Sequence, residues 1–279
     1  MEIIGAGIQA LFPFAWSRYQ FMQHALLAVL VISPVFALLG TMVISNRMAF
    51  FSDVLGHSAL TGIAIGSLFG LGDPQWAMIL FCALFAFLLN LFKGMTQAPS
   101  DTVLGVFFAI VVALGILILS KGGGFARYTA YLIGDVLAVA PDQIVLASVL
   151  LLVVVIYWVR FGNALVLVSL NPSLVRSKGV SVFWLETSFS ILLALVVTVS
   201  IRMVGILLIN SLLILPAATA RIMAGSIREY TLWSVVISLI SGIGGLIASY
   251  YLGTSAGATI VLCITLCYGL SALLRSRVT

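Results

Sequence analysis

The chain alternates long apolar runs with short polar breaks. Apolar runs fall near 22–44, 75–92, 102–120, 144–159, 183–201, 204–223, 230–252 and 256–274. Most are long enough for an α-helix to cross the ~30 Å hydrocarbon core of a bilayer. The apolar residues are continuous rather than alternating, which predicts helices and not the strands of an outer-membrane barrel. A further stretch, Ser52 to Gly66, is mostly apolar or small and brings the expected count to about nine spans, eight if one break is bridged. The fold class predicted is an all-α polytopic membrane protein.

The breaks predict the ends of the spans. Asn46-Arg47 closes the first, Gly72-Asp73-Pro74 reads as a turn, and 93–101 reads as a polar loop. The run 121–142 carries a triple glycine and four charges, and predicts a short surface or re-entrant helix ending near Pro141. The longest polar segment, 160–181, holds Arg160, Arg176 and Lys178. Within it Asn171-Pro172-Ser173 is a helix-start pattern and Gly179 a stop. Residues 1–20 predict an interfacial segment with Trp16, Arg18 and Tyr19 at headgroup level, ahead of one transmembrane domain over 21–279. Gly62, Gly66 and Gly70, and later Gly245, Gly253 and Gly257, predict close helix approach. Pro34 and Pro216 fall inside spans, where each removes a backbone donor and predicts a kink.

Asp53 and His57 carry the candidate chemistry. Four residues apart on a helix, they share one face. Carboxylate oxygen and neutral imidazole nitrogen together suit borderline divalent metals such as zinc and manganese. Ionisable groups at membrane depth are costly and tend to serve a pathway, although a capping Asp and a satisfied His would read the same in sequence. Metal binding needs an ionised carboxylate and a neutral imidazole, so acid is expected to weaken it. Cys263 and Cys267 are also one turn apart, and Met42 and Met48 flank the first break; in apolar helices both pairs read as packing.

Composition supports the membrane reading. The 279 residues are 63% hydrophobic and 8% charged, with mean hydropathy +1.27, where a soluble domain carries roughly a quarter charged residues. The net charge of +5 is spread over short loops, which fits the positive-inside bias better than nucleic-acid binding. Placing the C-terminus in the cytoplasm puts Arg47, Lys93, Arg160, Arg176, Lys178, Arg221 and Arg228 on that side, so N-out, C-in is the expected topology. No Walker A loop or soluble domain occurs, so ATP hydrolysis is expected from another chain and the protein itself is expected not to be an enzyme.

Ordered motifs carry a family resemblance. SDVLGHSALTGIAIG from Ser52, YLIGDVLAVAPDQI from Tyr131, SLNPSLVRSKGV from Ser169 and VGILLINSLLILPAATARIMA from Val204 are joined by a weaker TSAGATIVLC from Thr254. With these the chain resembles the membrane permeases of bacterial ABC importers for zinc, manganese and iron, the zinc-uptake branch most. The resemblance implies a fold similar to the vitamin B12 and siderophore permeases. It implies a permease homodimer in the bacterial inner membrane on a cytoplasmic ABC ATPase, supplied by a periplasmic or lipid-anchored metal-binding protein. It implies that Asp53 and His57 hold the ion transiently, with two symmetry copies meeting near the dimer axis. No resident cofactor is implied; the zinc or manganese ion is cargo. The loop 169–182 becomes the coupling helix, with Asn171, Pro172, Ser173, Leu174, Val175, Arg176, Lys178 and Gly179 docking on the ATPase and Leu174, Val175 and Arg176 as the contacts. Pro216 is expected to be a structural or gating kink. The alternatives are an iron or iron-chelate ABC permease and, in another class, an ion-coupled secondary transporter with Asp53 and His57 as proton relay. A chelate needs a wide path, against which the Asp/His pair argues. An intramembrane hydrolase lacks a glycine-flanked serine elbow or a metalloprotease motif.

Overall fold

Asn46 and Arg47 do end the first helix: Arg47 takes a left-handed conformation (φ 56°), and the Met48 N–H reaches back to the Val43 carbonyl at 2.9 Å. This is the closing pattern usually given to glycine. The computed structural model describes residues 9, 14–70, 74–96, 100–122 and 134–276. Among these, after a 3-10 turn at Ala15–Arg18, come the α-helices α1 (Gln20–Ser45), α2 (Phe51–Leu68), α3 (Pro74–Met95), α4 (Ser100–Gly122), α5 (Pro141–Leu170), α6 (Pro172–Ser177), α7 (Val182–Met223), α8 (Ile227–Leu252) and α9 (Ala256–Ser276). No strand occurs among the described residues.

Seven of these helices are long and apolar enough to cross a membrane: α1, α3, α4, α5, α7, α8 and α9. The expected count of about nine differs at two places. α2 has 18 residues, and its Ser52, Asp53, His57 and Ser58 lower its hydropathy. The expected spans 183–201 and 204–223 lie in one 42-residue element, α7, whose backbone leaves the helix at Gly205 (φ 76°, ψ 161°).

The chain divides into two compact units. The first comprises 1–41, 134–155 and 203–279. Its α1 and α8 are tied by side-chain hydroxyls. Tyr230 donates to the Thr41 carbonyl (3.3 Å), Ser234 to that of Ala37 (3.1 Å) and Ser238 to that of Ser33 (3.1 Å). One hydroxyl per turn thus satisfies polar atoms that would otherwise lie bare in an apolar helix seam. α8 and α9 pack together, and at Gly245 a Cβ would stand 2.5 Å from Ile260 Cα, so only glycine permits that approach. Cys267 is half-buried and lines an apolar groove of about 630 Å³ with Leu270 and Leu274.

The second unit comprises 42–133 and 156–202. In it α2 packs against both α3 and α4. A Cβ on Gly62 would sit 2.8 Å from Met78 Cα of α3, and one on Gly115 of α4 would sit 2.5 Å from Thr61 Oγ1 of α2. Thr61 in turn donates to the Val111 carbonyl at 2.8 Å.

Several expectations are corrected. Pro141 opens α5 rather than ending a helix; its missing N–H costs nothing at a first helical position. Within the expected 121–142 helix, residues 123–133 lie outside the described residues, and the rest includes a 3-10 turn at Val136–Ala138, capped by Asp135 Oδ1 accepting from the Leu137 N–H (2.9 Å). Residues 160–170 continue α5 instead of forming a polar loop; the apolar run beyond Asn163 outweighs Arg160, whose guanidinium lies 5.2 Å from the Phe161 ring centre. Trp16 is buried (2% exposed), not a headgroup anchor, whereas Tyr19 is exposed; most of residues 1–13 lie outside the described residues. Gly70 and Gly253 have positive φ and serve turns, with nothing near a Cβ, and Gly257 also faces open space.

Candidate functional site

α2 is buried almost all round. Between Phe51 and Gly66 every residue is buried except Asp53, His57, Leu60 and Ile65. At 100° per residue, Asp53, His57 and Leu60 fall on one narrow stripe, with the Asp53 and His57 backbone positions about 6 Å apart along the axis. The two ionisable side chains therefore occupy the accessible line of an otherwise packed helix.

Each has its own support. Asp53 lies in the first turn of α2, where no side chain caps the helix and the positive end of the helix dipole favours a carboxylate. The His57 ring meets Phe108 edge to face, with centres 5.2 Å apart and planes at 82°. Phe108 also meets Phe50 just ahead of α2, at 5.4 Å and 66°. Phe108 thus brackets the imidazole from α4, a role that no sequence signal near His57 announces. Met42 and Met48 are buried, as packing residues are.

Among the described residues no group of three or more His, Cys, Asp or Glu could hold a metal ion. Among the described residues Asp53 and His57 are thus joined by no such third side chain.

α6 is built as the sequence predicts. Asn171 Oδ1 accepts from the Ser173 N–H (3.0 Å) and Pro172 stands in the first turn. The helix closes at Gly179, φ 74°, with N–H bonds from Gly179 to the Arg176 carbonyl and from Val180 to that of Val175. Leu174 and Arg176 are exposed. Val175 is 2% exposed, so it anchors the short helix to the body and offers no contact surface, contrary to expectation. Pro216 is buried within α7, and the non-helical backbone lies at Gly205 instead. Gly205 lies eleven residues ahead of Pro216.

Comparison with known proteins decides the family. The model described as the ABC 3 transport family matches residues 18–275. The chain belongs to the ABC 3 transport family. Its relatives in that family include the high-affinity zinc uptake system membrane protein ZnuB of Haemophilus influenzae, 32% identical over 93% of this chain and 99% of that protein. The manganese import system permease protein ScaB of Streptococcus gordonii is 31% identical over 88% of this chain and 87% of its own length. Among solved structures, PsaBC from Streptococcus pneumoniae in complex with Fab aligns with TM-score 0.78 at 27% identity over 94% of both chains. An inward-facing ABC transporter of proposed metal-chelate type aligns with TM-score 0.68 at 15% identity over 90% of this chain and 85% of that one, a likeness of fold. The chain is accordingly a multi-pass membrane permease of the ABC 3 transport family.

Proposed function

We propose that this permease carries a divalent first-row metal ion, zinc first and manganese second, into the cytoplasm. Asp53 and His57 are its transient ligands. The accessible Asp53–His57 stripe on a buried helix carries the reading. Oxygen and nitrogen donors of this kind suit both ions. Relatives named for zinc and for manganese uptake support the same cargo, and the zinc-uptake relative tilts the order.

A second copy of the chain completes the site with its own Asp/His pair, since one chain supplies two ligands and a bound ion takes about four. Energy comes from a separate ATPase that docks on α6 through Leu174 and Arg176, with Asn171, Pro172, Ser173, Lys178 and Gly179 shaping the helix. The permease itself hydrolyses nothing. A binding protein delivers the ion from outside the cytoplasmic membrane, and the C-terminus lies inside, as the Lys/Arg bias suggests.

The test is uptake in proteoliposomes holding the permease, its ATPase and its binding protein. Labelled zinc and manganese are compared for the unmodified chain, Asp53→Asn and His57→Ala, at matched assembly. ATP-dependent uptake is lost in both variants if the pair holds the ion. Full uptake in both variants refutes the site. Uptake that needs no ATP would favour the proton-relay reading instead.

A further inference from the structure

α3 is fastened to the first half of α7 at both ends. Lys93 Nζ, in the last turn of α3, lies 3.1 Å from Glu186 Oε2, one turn into α7. At the opposite end, Arg202 Nη1 donates to Gln75 Oε1 at 2.7 Å. The two helices are therefore antiparallel over this stretch. The fastenings stand about 27 Å apart along α3 and about 24 Å apart along α7. That is close to the ~30 Å apolar thickness of a bilayer, so the polar clamps fall at the two edges of the apolar zone. Polar contacts of this kind fix register where dispersion alone would let helices slide.

The position of this pair in the chain gives it a task. Only residues 178–181 separate α6 from α7, and Ser181 already accepts from the Leu185 N–H. The helix that carries Glu186 is thus joined to α6 by a four-residue link. At the other side α3 carries α2: a Gly62 Cβ would stand 2.8 Å from Met78 Cα, and Cys82 Sγ approaches the Leu55 carbonyl at 3.8 Å. α2, α3, α6 and α7 up to Arg202 all belong to the same compact unit.

We propose that Lys93–Glu186 and Gln75–Arg202 are positioning pairs that lock α3 and the first half of α7 into one strut, through which movement of α6 reaches the Asp53–His57 helix. This rests on the permease reading above and deepens it. The half-buried ion pair (side chains 24% and 29% exposed) is the decisive joint, because its partners sit at helix ends whose dipoles favour them.

Charge reversal in the reconstituted importer tests it. Lys93→Glu, Glu186→Lys and the double exchange are compared with the unmodified chain. The readout is labelled zinc or manganese moved per ATP hydrolysed. A merely structural loss lowers both quantities together and leaves their ratio alone. Each single reversal is expected to lower the ratio about 5-fold or more, within the usual span of coupling energies, and the double exchange to restore it. Where a reversal prevents assembly, the neutral Glu186→Gln carries the same readout, and a ratio below that of the unmodified chain supports the strut. Singles or Glu186→Gln at the unmodified ratio overturn the strut, as does a double exchange no better than the singles. If the unmodified importer moves neither metal with ATP, the permease reading itself fails, which is a separate outcome.

Discussion

Gly134 and Gly205 meet backbone to backbone. A Cβ added to Gly134 would fall 2.0 Å from the Gly205 nitrogen and 2.4 Å from its Cα, and both glycines have positive φ (54° and 76°). Gly205 is where α7 leaves helical geometry, so the segment leading to α5 is seated in the break of α7. The φ/ψ of Gly205 lies in a region essentially reserved for glycine, where any other residue costs of order 1–3 kcal/mol. Gly205→Ala is therefore expected to lose about that much. Gly134→Ala is expected to lose more, because its Cβ also overlaps backbone that cannot swing aside. Thermal unfolding in detergent reads both; an unchanged midpoint for Gly134→Ala would refute the contact.

The seam between α2 and α4 gives a second expectation. The Thr61 hydroxyl fills the space where a Gly115 Cβ would stand, and it reaches the Val111 carbonyl. Gly115→Ala must displace the Thr61 hydroxyl and so break its bond to the Val111 carbonyl, which loosens the α2–α4 seam that holds Phe108 against His57. Uptake is expected to fall several-fold in Gly115→Ala. Pairing it with Thr61→Ala, which vacates that space, should recover much of the loss. Absence of recovery would mean that the two positions do not share the space.

The hydroxyl ladder of α8 is a third case. Ser234→Ala and Ser238→Ala each remove one donor to an α1 carbonyl. Such interhelical bonds in membrane proteins average about 0.6 kcal/mol. Each substitution is expected to cost near that value, and the double variant near the sum, because the two bonds share no partner. Unfolding titrations of the two singles and the double check this; a double variant as stable as the unmodified chain would show the ladder to be idle.

What the sequence discloses, and what it hides, follows from the range of the forces involved. Asp53 and His57 are legible because helical periodicity is local, and Asn171-Pro172 with Gly179 is legible because caps are local. Phe108 is hidden: it meets His57 only through packing of α2 on α4, about fifty residues away. The break in α7 illustrates the same limit. Pro216 lacks a donor, so it draws attention in the sequence, and it lies inside α7 as Pro34 lies inside α1. The helix opens at Gly205, where the backbone of Gly134 needs room. Residues 160–170 misled because Arg160 and Asn163 look like a break, whereas the apolar residues that follow continue α5 to Leu170.

The two faces of α6 should separate by experiment. Val175 is 2% exposed and Leu174 51%, so neighbouring residues of one short helix face opposite ways. Val175→Ala removes buried methyl groups and is expected to cost the permease about 1–2 kcal/mol of stability. Leu174→Ser removes nothing from the core and should leave the unfolding midpoint of the isolated permease unchanged, yet weaken capture of the ATPase. Asn171→Ala removes the cap and is expected to cost about 1 kcal/mol locally, loosening α6 and lowering capture as well. Thermal unfolding of the permease alone and ATPase binding measured in nanodiscs resolve the three variants. A Leu174→Ser permease that binds the ATPase as tightly as the unmodified chain would move the docking surface away from α6.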